Sequence, residues 1–204
     1  MAKLGHEVVG VDVLDGQVAA LARGEAPFYE PGLPELLTEA SATGRLRFTT
    51  DKSEAAGAEV HFICVGTPQR RGENAADLSY VYGALDDLMP HLKPGDVVVG
   101  KSTVPVGTAE RLAERIRDTV PEATLLWNPE FLREGHAVDD TLRPDRFVYG
   151  VTLTENSGFH SSVASGTASR IRSAICSAVP TGTVDLPTTT SPGFRYGVRS
   201  SSAP

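Results

Sequence analysis

The chain has 204 residues, 40% of them hydrophobic, which is enough for one sizeable domain with a buried core. Its net charge of −7 argues against a protein that binds nucleic acids or anionic membranes through clustered Lys and Arg. No hydrophobic run reaches the roughly 20 residues of a membrane-spanning helix. Because only two cysteines are present, Cys64 and Cys176, we expect a cytoplasmic protein without a disulfide framework.

Strand and helix signals alternate along the first 151 residues. Such alternation predicts right-handed βαβ crossovers, and therefore an α/β, Rossmann-like and mostly parallel sheet with helices on both faces. In chain order we predict a strand over 8–13, helices over 15–24 and 34–44, strands over 46–50 and 59–66, a helix over 77–92, a strand over 96–103, a helix with Leu112, Ala113, Ile116 and Val120 on one face, and strands over 123–129 and 146–151.

Polar residues follow several of these strands, at the edge of the sheet where such folds bind ligands. Asp12 ends the first strand, where an acid can bind the ribose of a dinucleotide, although an Asp in this position is also a common turn residue. "VGTP" at 65–68 and "KSTVPVGT" at 101–108 end the next two long strands, and "NPEFLREGHAVDD" at 128–140 follows another. Neither His61 nor His136 belongs to a group with metal-ligand spacing, and we predict both to be structural or surface residues.

Taken together, these motifs are more specific than any one of them. "YEPGL" at 29–33, "VGTP", "STVPVGT", "NPEFLREG" and "PDRFVYG" at 144–150 occur in one order. In that order they resemble the UDP-glucose/GDP-mannose dehydrogenase family, most closely its UDP-glucose 6-dehydrogenase branch. The resemblance covers residues 1 to about 151. It implies an NAD-dependent, four-electron oxidation of the sugar C6 alcohol to a carboxylate, giving UDP-glucuronate.

The resemblance also implies roles for individual residues. Asp12 would bind the adenosine ribose of NAD, with Gln17 in the position near the adenosine that is usually basic in the family. Thr67 and Thr103 would contact NAD. The stretch Glu130, Phe131, Leu132, Arg133 and Glu134 would line UDP-glucose, and Glu134 would also reach NAD. Glu130 would be the base that assists thioester hydrolysis, and Thr103 would help to position the water.

Two features of the family have no match in this sequence. Only four residues precede Gly5, so the strand and glycine loop that cradle the NAD pyrophosphate are not found, and we expect the chain to be truncated inside the first helix, with Gly5 as its C-cap. We therefore predict a chain that is marginally stable or unfolded alone, or one whose strand at 8–13 finds a non-native neighbour. The family's "GFGGSCFPKD"-like segment, which carries the nucleophilic cysteine, is also not found. Cys176 lacks its flanking residues, and Cys64 is most simply a buried strand residue.

Composition changes abruptly near residue 151. The last 53 residues contain 19 Ser or Thr and no Lys. We interpret 1–151 as a partial NAD-binding Rossmann domain and 152–204 as a low-complexity tail, disordered apart from a weak helix that 161–179 could form. The tail is either a natural flexible linker or an out-of-frame or misassembled segment.

Several alternatives remain at this stage. The parent protein is a UDP-glucose 6-dehydrogenase, or a GDP-mannose or UDP-N-acetylmannosamine dehydrogenase, because sugar selection depends mainly on parts of the family pattern that this sequence lacks. A different class is a non-catalytic nucleotide-binding module that kept the sheet and lost the chemistry. Family members commonly form homodimers, and the resemblance implies the same for a full-length parent.

Overall fold

The computed structural model describes residues 1–128, 132–143, 149–151 and 172–176, which form one seven-stranded sheet flanked by helices. The strands are β1 (Glu7–Val11), β2 (Leu46–Thr49), β3 (Val60–Ile63), β4 (Val97–Gly100), β5 (Thr124–Trp127), β6 (Gly150–Val151) and β7 (Arg172–Cys176). The α-helices are α1 (Asp15–Ala22), α2 (Leu33–Ala42), α3 (Ser79–Leu88), α4 (Thr108–Thr119) and α5 (Ala137–Leu142), and 3₁₀ turns form at Ala2–Leu4, Lys52–Gly57 and Met89–His91. The predicted alternation of strands and helices is confirmed.

The strand order is β2-β1-β7-β3-β4-β5-β6, and only the pairing of β5 with β6 is antiparallel. A mostly parallel sheet is therefore confirmed. In this order the carboxyl ends of β1, β3, β4 and β5 lie at one edge, which is where the polar segments of the sequence follow.

β7 corrects the expectation for part of the tail. The sequence allowed a weak helix across these residues and otherwise predicted disorder. Instead, Arg172–Cys176 form a strand that pairs in parallel with β1 on one side and β3 on the other. In the usual doubly wound order 3-2-1-4-5-6, this place between the two halves of the sheet belongs to the domain's first strand. The predicted strand at 8–13 thus has a neighbour, and that neighbour comes from the C-terminal part of the chain.

The 3₁₀ turn at Ala2–Leu4 ends as the sequence predicts. Gly5 adopts φ 97°, a left-handed conformation that glycine tolerates best, and its amide donates to the carbonyl of Ala2. The turn therefore delivers the chain directly into β1.

Most of the buried hydrophobic side chains belong to one cluster. The main cluster packs α3, α4 and the 3₁₀ turn at Lys52–Gly57 against β3, β4 and β5, and its fully buried members include Ile63, Leu85, Leu112 and Ile116. A second, smaller cluster around β1 and β2 contains Ala2, Val8 and Ala40, with Leu46 packed against it. The stripe predicted for α4 is confirmed at Leu112, Ala113 and Ile116.

Two glycines permit close packing between neighbouring strands. Gly10 of β1 is in register with Phe48 of β2, and a β-carbon on Gly10 would lie 2.5 Å from the Phe48 ring. Gly100 of β4 is in register with Trp127 of β5, whose ring occupies the space that a β-carbon on Gly100 would need. In both pairs an aromatic ring covers a strand glycine, so neither glycine can be replaced without moving the ring.

Candidate functional site

Asp12 lies at the carboxyl end of β1 and is 3% exposed. Its side chain accepts a hydrogen bond from the Leu14 amide at 2.9 Å, and its own amide donates to the Thr49 carbonyl at 3.1 Å. A cleft of about 190 Å³ opens beside it, lined mainly by apolar side chains: Val11, Val13, Val65, Tyr80 and Ala84. A buried carboxylate beside an apolar cleft at this edge has the chemistry required to bind a nucleoside, with hydroxyls on the acid and a base in the cleft.

Gln17 lies in the first turn of α1 and is partly buried. Its amide donates to the Leu14 carbonyl at 3.0 Å. Leu14 also donates to Asp12, so one short turn carries both residues.

The loops after β3 and β4 are joined to each other by side-chain hydrogen bonds. The buried Ser102 hydroxyl donates to the Val65 carbonyl at 2.7 Å. The Thr67 hydroxyl donates to the Thr103 carbonyl at 2.8 Å, and the Thr103 side chain is exposed. The structure therefore brings together Thr67 and Thr103, which the sequence analysis assigned to one ligand.

A third connection joins the ends of β4 and β5. The Lys101 ammonium donates to the side-chain oxygen of Asn128 at 2.8 Å, and Asn128 is 6% exposed. Sequence reasoning did not single out this pair. Its signal was present, because polar residues directly after adjacent parallel strands must converge at one edge.

The segment after Asn128 is described again from Leu132 onward. Leu132, Arg133 and Glu134 are exposed. The Arg133 guanidinium and amide donate three hydrogen bonds to the Asp140 carboxylate at 2.6–3.0 Å, and these bonds lower the pKa of Asp140 to about 2. Glu130 and Phe131 lie outside the described residues, so the proposed base and its neighbour have no geometry here.

Glu30 lies in a motif that was quoted from the sequence, but this residue was given no role there. It belongs to "YEPGL", is 5% exposed, and accepts from the amides of Gly135 at 3.0 Å and Ala137 at 2.8 Å. The pairing joins segments more than 100 residues apart in the sequence. A carboxylate in a loop between α1 and α2 gives no local signal of this distant partner.

The two histidines, predicted as a structural residue (His61) and a surface residue (His136), differ in their surroundings. His136 is exposed and precedes α5. His61 is 1% exposed in β3, and its Nε2 lies 3.2 Å from the Asp96 carboxylate. Among the described residues its Nδ1 has no hydrogen-bond partner. Burial lowers the pKa of His61, and the hydrogen bond to Asp96 opposes that shift.

Cys64, predicted to be a buried strand residue, is instead partly buried in the loop directly after β3. Within the described ranges, no group of three or more His, Cys, Asp or Glu side chains could hold a metal ion. No helix among the described residues is long and apolar enough to cross a membrane.

Comparison with protein families gives a match over residues 1–185 to the model described as "UDP-glucose/GDP-mannose dehydrogenase family, NAD binding domain". The chain belongs to this family. The match runs beyond residue 151, where the sequence analysis ended the resemblance, and includes β7. The division of the chain at residue 151 stays a prediction. NAD is the cofactor of the domain, and Asp12 beside its apolar cleft fits the adenosine half of that molecule.

Individual relatives agree with the family. The UDP-glucose 6-dehydrogenase of Rhizobium meliloti is 52% identical over 153 residues, which cover 74% of this chain and 35% of that protein. A UDP-glucose dehydrogenase structure from Pyrobaculum islandicum aligns with a TM-score of 0.70 at 36% identity, covering 86% of this chain and 42% of that one. A GDP-mannose dehydrogenase from Pseudomonas aeruginosa aligns with a TM-score of 0.70 at 31% identity, over 87% and 42%. The chain thus spans about a third of the length of the curated relatives it matches.

Proposed function

We propose that this chain is the NAD-binding part of a cytoplasmic UDP-glucose 6-dehydrogenase that acts as a homodimer when complete. The single observation that carries the proposal is the 52% identity to the Rhizobium meliloti enzyme, joined to the order of motifs at the carboxyl edge of the sheet. The overall reaction converts the C6 alcohol, one water and two NAD⁺ into a carboxylate, two NADH and three protons. NAD, when bound, accepts hydride from C6.

The residues of this chain would bind NAD in two places, at the carboxyl end of β1 and in the loops after β3 and β4. Asp12 would accept hydrogen bonds from the adenosine ribose, with Gln17 one turn away in α1. Thr67 and Thr103, already in contact, would meet NAD at the adjoining strand ends. A negative charge at Asp12 also disfavours the 2′-phosphate of NADP, which supports NAD as the cofactor.

The sugar nucleotide would lie against Glu130, Phe131, Leu132, Arg133 and Glu134, and Glu134 would also reach NAD. Glu130 would act as the general base for thioester hydrolysis, and Thr103 would orient the water. A base must lie within hydrogen-bond reach of the proton that it removes, so Glu130 requires a measured distance in a complex.

We further propose that these 204 residues do not complete the reaction alone. No segment of the sequence matches the family's cysteine motif, so the thiol that would hold the aldehyde as a covalent intermediate has no candidate beyond Cys64 and Cys176. The glycine loop that would bind the pyrophosphate also has no match. Formation of UDP-glucuronate and NADH by the purified chain would contradict this part of the proposal.

Calorimetric titration of the purified chain with NAD and with UDP-glucose, separately, tests the proposal. We expect weak NAD binding that depends on Asp12. Asp12→Asn should weaken it about tenfold or more, since hydrogen bonds to a charged acceptor contribute about 1.5–3 kcal/mol. The matched control is Asp15→Asn, an exposed residue in the first turn of α1. Equal affinities for the two variants would remove Asp12 from the cofactor site.

The same titration with GDP-mannose and UDP-N-acetylmannosamine tests the choice of sugar. The Pseudomonas aeruginosa GDP-mannose dehydrogenase aligns as well in TM-score as the UDP-glucose enzyme from Pyrobaculum islandicum, so GDP-mannose is the second candidate. Tighter binding of GDP-mannose than of UDP-glucose would make GDP-mannose the first candidate substrate and UDP-glucose the second.

A further inference from the structure

Glu30 presents a buried carboxylate that the proposed reaction does not use. It is 5% exposed, and within the part of the chain that the structure describes no Lys, Arg or His side chain forms an ion pair with it. Burying an ionised carboxylate is costly unless it is hydrogen-bonded. Here the compensation comes from the backbone amides of Gly135 and Ala137, one on each oxygen.

Two acceptors on one rigid group fix both the distance and the rotation of the segment that donates to them. The segment 132–137 is held on one side by Glu30, and on the other by the contact between Arg133 and Asp140. Arg133 makes one of these contacts, and Leu132 and Glu134 are its neighbours in the sequence. These three are the described residues that we assign to the sugar nucleotide.

The two attachments are not equivalent. The Arg133 side chain is 66% exposed, and its contact with Asp140 joins residues only seven apart in the sequence. The Glu30 contacts are partly buried and reach across more than 100 residues. Glu30 therefore places the segment relative to "YEPGL".

We propose that Glu30 is a positioning residue for the sugar-nucleotide site: its carboxylate holds the segment 132–137 in place and thereby sets the affinity for UDP-glucose. The inference rests on the proposed function for the identity of the ligand. It goes beyond that function by giving a role to a residue of "YEPGL" that does not itself contact the ligand.

The test compares Glu30→Gln with the matched control Glu35→Gln, an exposed residue in the first turn of α2. A glutamine keeps the size of the side chain but offers one acceptor oxygen and an amide group, so one of the two backbone donors loses its partner. We expect the amides of Gly135 and Ala137 to exchange with deuterium about tenfold faster or more in Glu30→Gln. Exchange in β4 and the urea midpoint should match those of the control.

UDP-glucose titration supplies the readout that a purely structural role would not move. Glu30→Gln should bind UDP-glucose about tenfold more weakly than Glu35→Gln at an equal urea midpoint. Unchanged exchange at Gly135 and Ala137 would overturn the proposal. So would faster exchange throughout the chain, and so would faster local exchange with unchanged UDP-glucose affinity.

A second variant covers the case in which Glu30→Gln fails to fold. Gly135 adopts φ 77° in open space, so Gly135→Ala strains the same segment and leaves the carboxylate untouched. It should weaken UDP-glucose binding in the same direction, and unchanged binding would count against the proposal. If the unsubstituted chain does not bind UDP-glucose, the proposed function fails and this inference falls with it. Binding that is indifferent to Glu30 and Gly135 overturns the inference alone.

Discussion

The two halves of the sheet are built differently. The half made of β3, β4 and β5 has a large buried cluster, and its strand ends are tied together by Ser102, Thr67 and Lys101. The half made of β1 and β2 has a small cluster, and it reaches the other half through β7, a strand contributed by residues 172–176. Asp12 thus lies in the less supported half, and the loops that would meet the rest of the cofactor lie in the better supported one.

The largest effect should come from breaking the connection between the halves. Ala174 of β7 is in register with Val9 and His61. Ala174→Pro removes a backbone donor from a strand paired on both sides, which we expect to cost about 3 kcal/mol or more, a large share of the ~5–15 kcal/mol that stabilises a typical domain.

Urea denaturation followed by circular dichroism measures this effect, with Ala203→Pro near the C-terminus as the matched control. The Ala174→Pro midpoint should fall well below that of the control, or the variant should already be unfolded in buffer. Equal midpoints would mean that β7 does not join the two halves in solution.

A smaller effect should follow from disturbing the better supported half. Gly100→Ala places a β-carbon where the Trp127 ring packs, so the ring must move. We expect a loss of about 1–3 kcal/mol and a shifted fluorescence spectrum, since Trp127 is the only tryptophan of the chain. Gly83→Ala, with open space around a helical position, is the control and should be neutral or slightly stabilising. An unchanged fluorescence spectrum and urea midpoint in Gly100→Ala would show that β4 and β5 can accommodate the added β-carbon without moving the Trp127 ring.

The smallest effect should be a pH dependence at the boundary between the halves. Burial lowers the pKa of His61, so below the unfolded value of about 6.5 the unfolded chain takes up the proton first. The stabilising contribution is complete above about pH 6.5 and is lost as the pH falls through the folded pKa.

Urea midpoints of the chain and of His61→Gln, measured at about pH 8 and about pH 5.5, separate this contribution from other titrating groups. The difference between the two pH values should shrink in His61→Gln. It should persist in His136→Gln, which changes an exposed histidine. An undiminished difference in His61→Gln would assign the dependence to other groups.

Local periodicity was sufficient to predict most of the sheet. The apolar runs gave β1 to β5, and the stripe of α4 followed from its three- and four-residue spacing. Residues 172–176 were not predicted as a strand, because this five-residue segment lies in a sequence rich in Ser, Thr and Gly and shows no hydrophobic periodicity of its own. Their place depends on a gap between β1 and β3 that exists only in the folded sheet.

The candidate site divides in the same way. From the resemblance, Thr67 and Thr103 were predicted to contact the same cofactor, and the Thr67 hydroxyl does donate to the Thr103 carbonyl. Lys101 with Asn128 required knowledge that β4 and β5 are neighbours in register. Glu30 required more, since nothing in "YEPGL" indicates that its carboxylate reaches the amides that follow "NPEFLRE".

The hydroxyl of Thr67 has one proton, and the carbonyl of Thr103 already receives it. Toward a bound ligand, the Thr67 hydroxyl oxygen can therefore act only as a hydrogen-bond acceptor. It accepts hydrogen bonds from donor groups, such as a carboxamide or a sugar hydroxyl, and donates none to a phosphate oxygen.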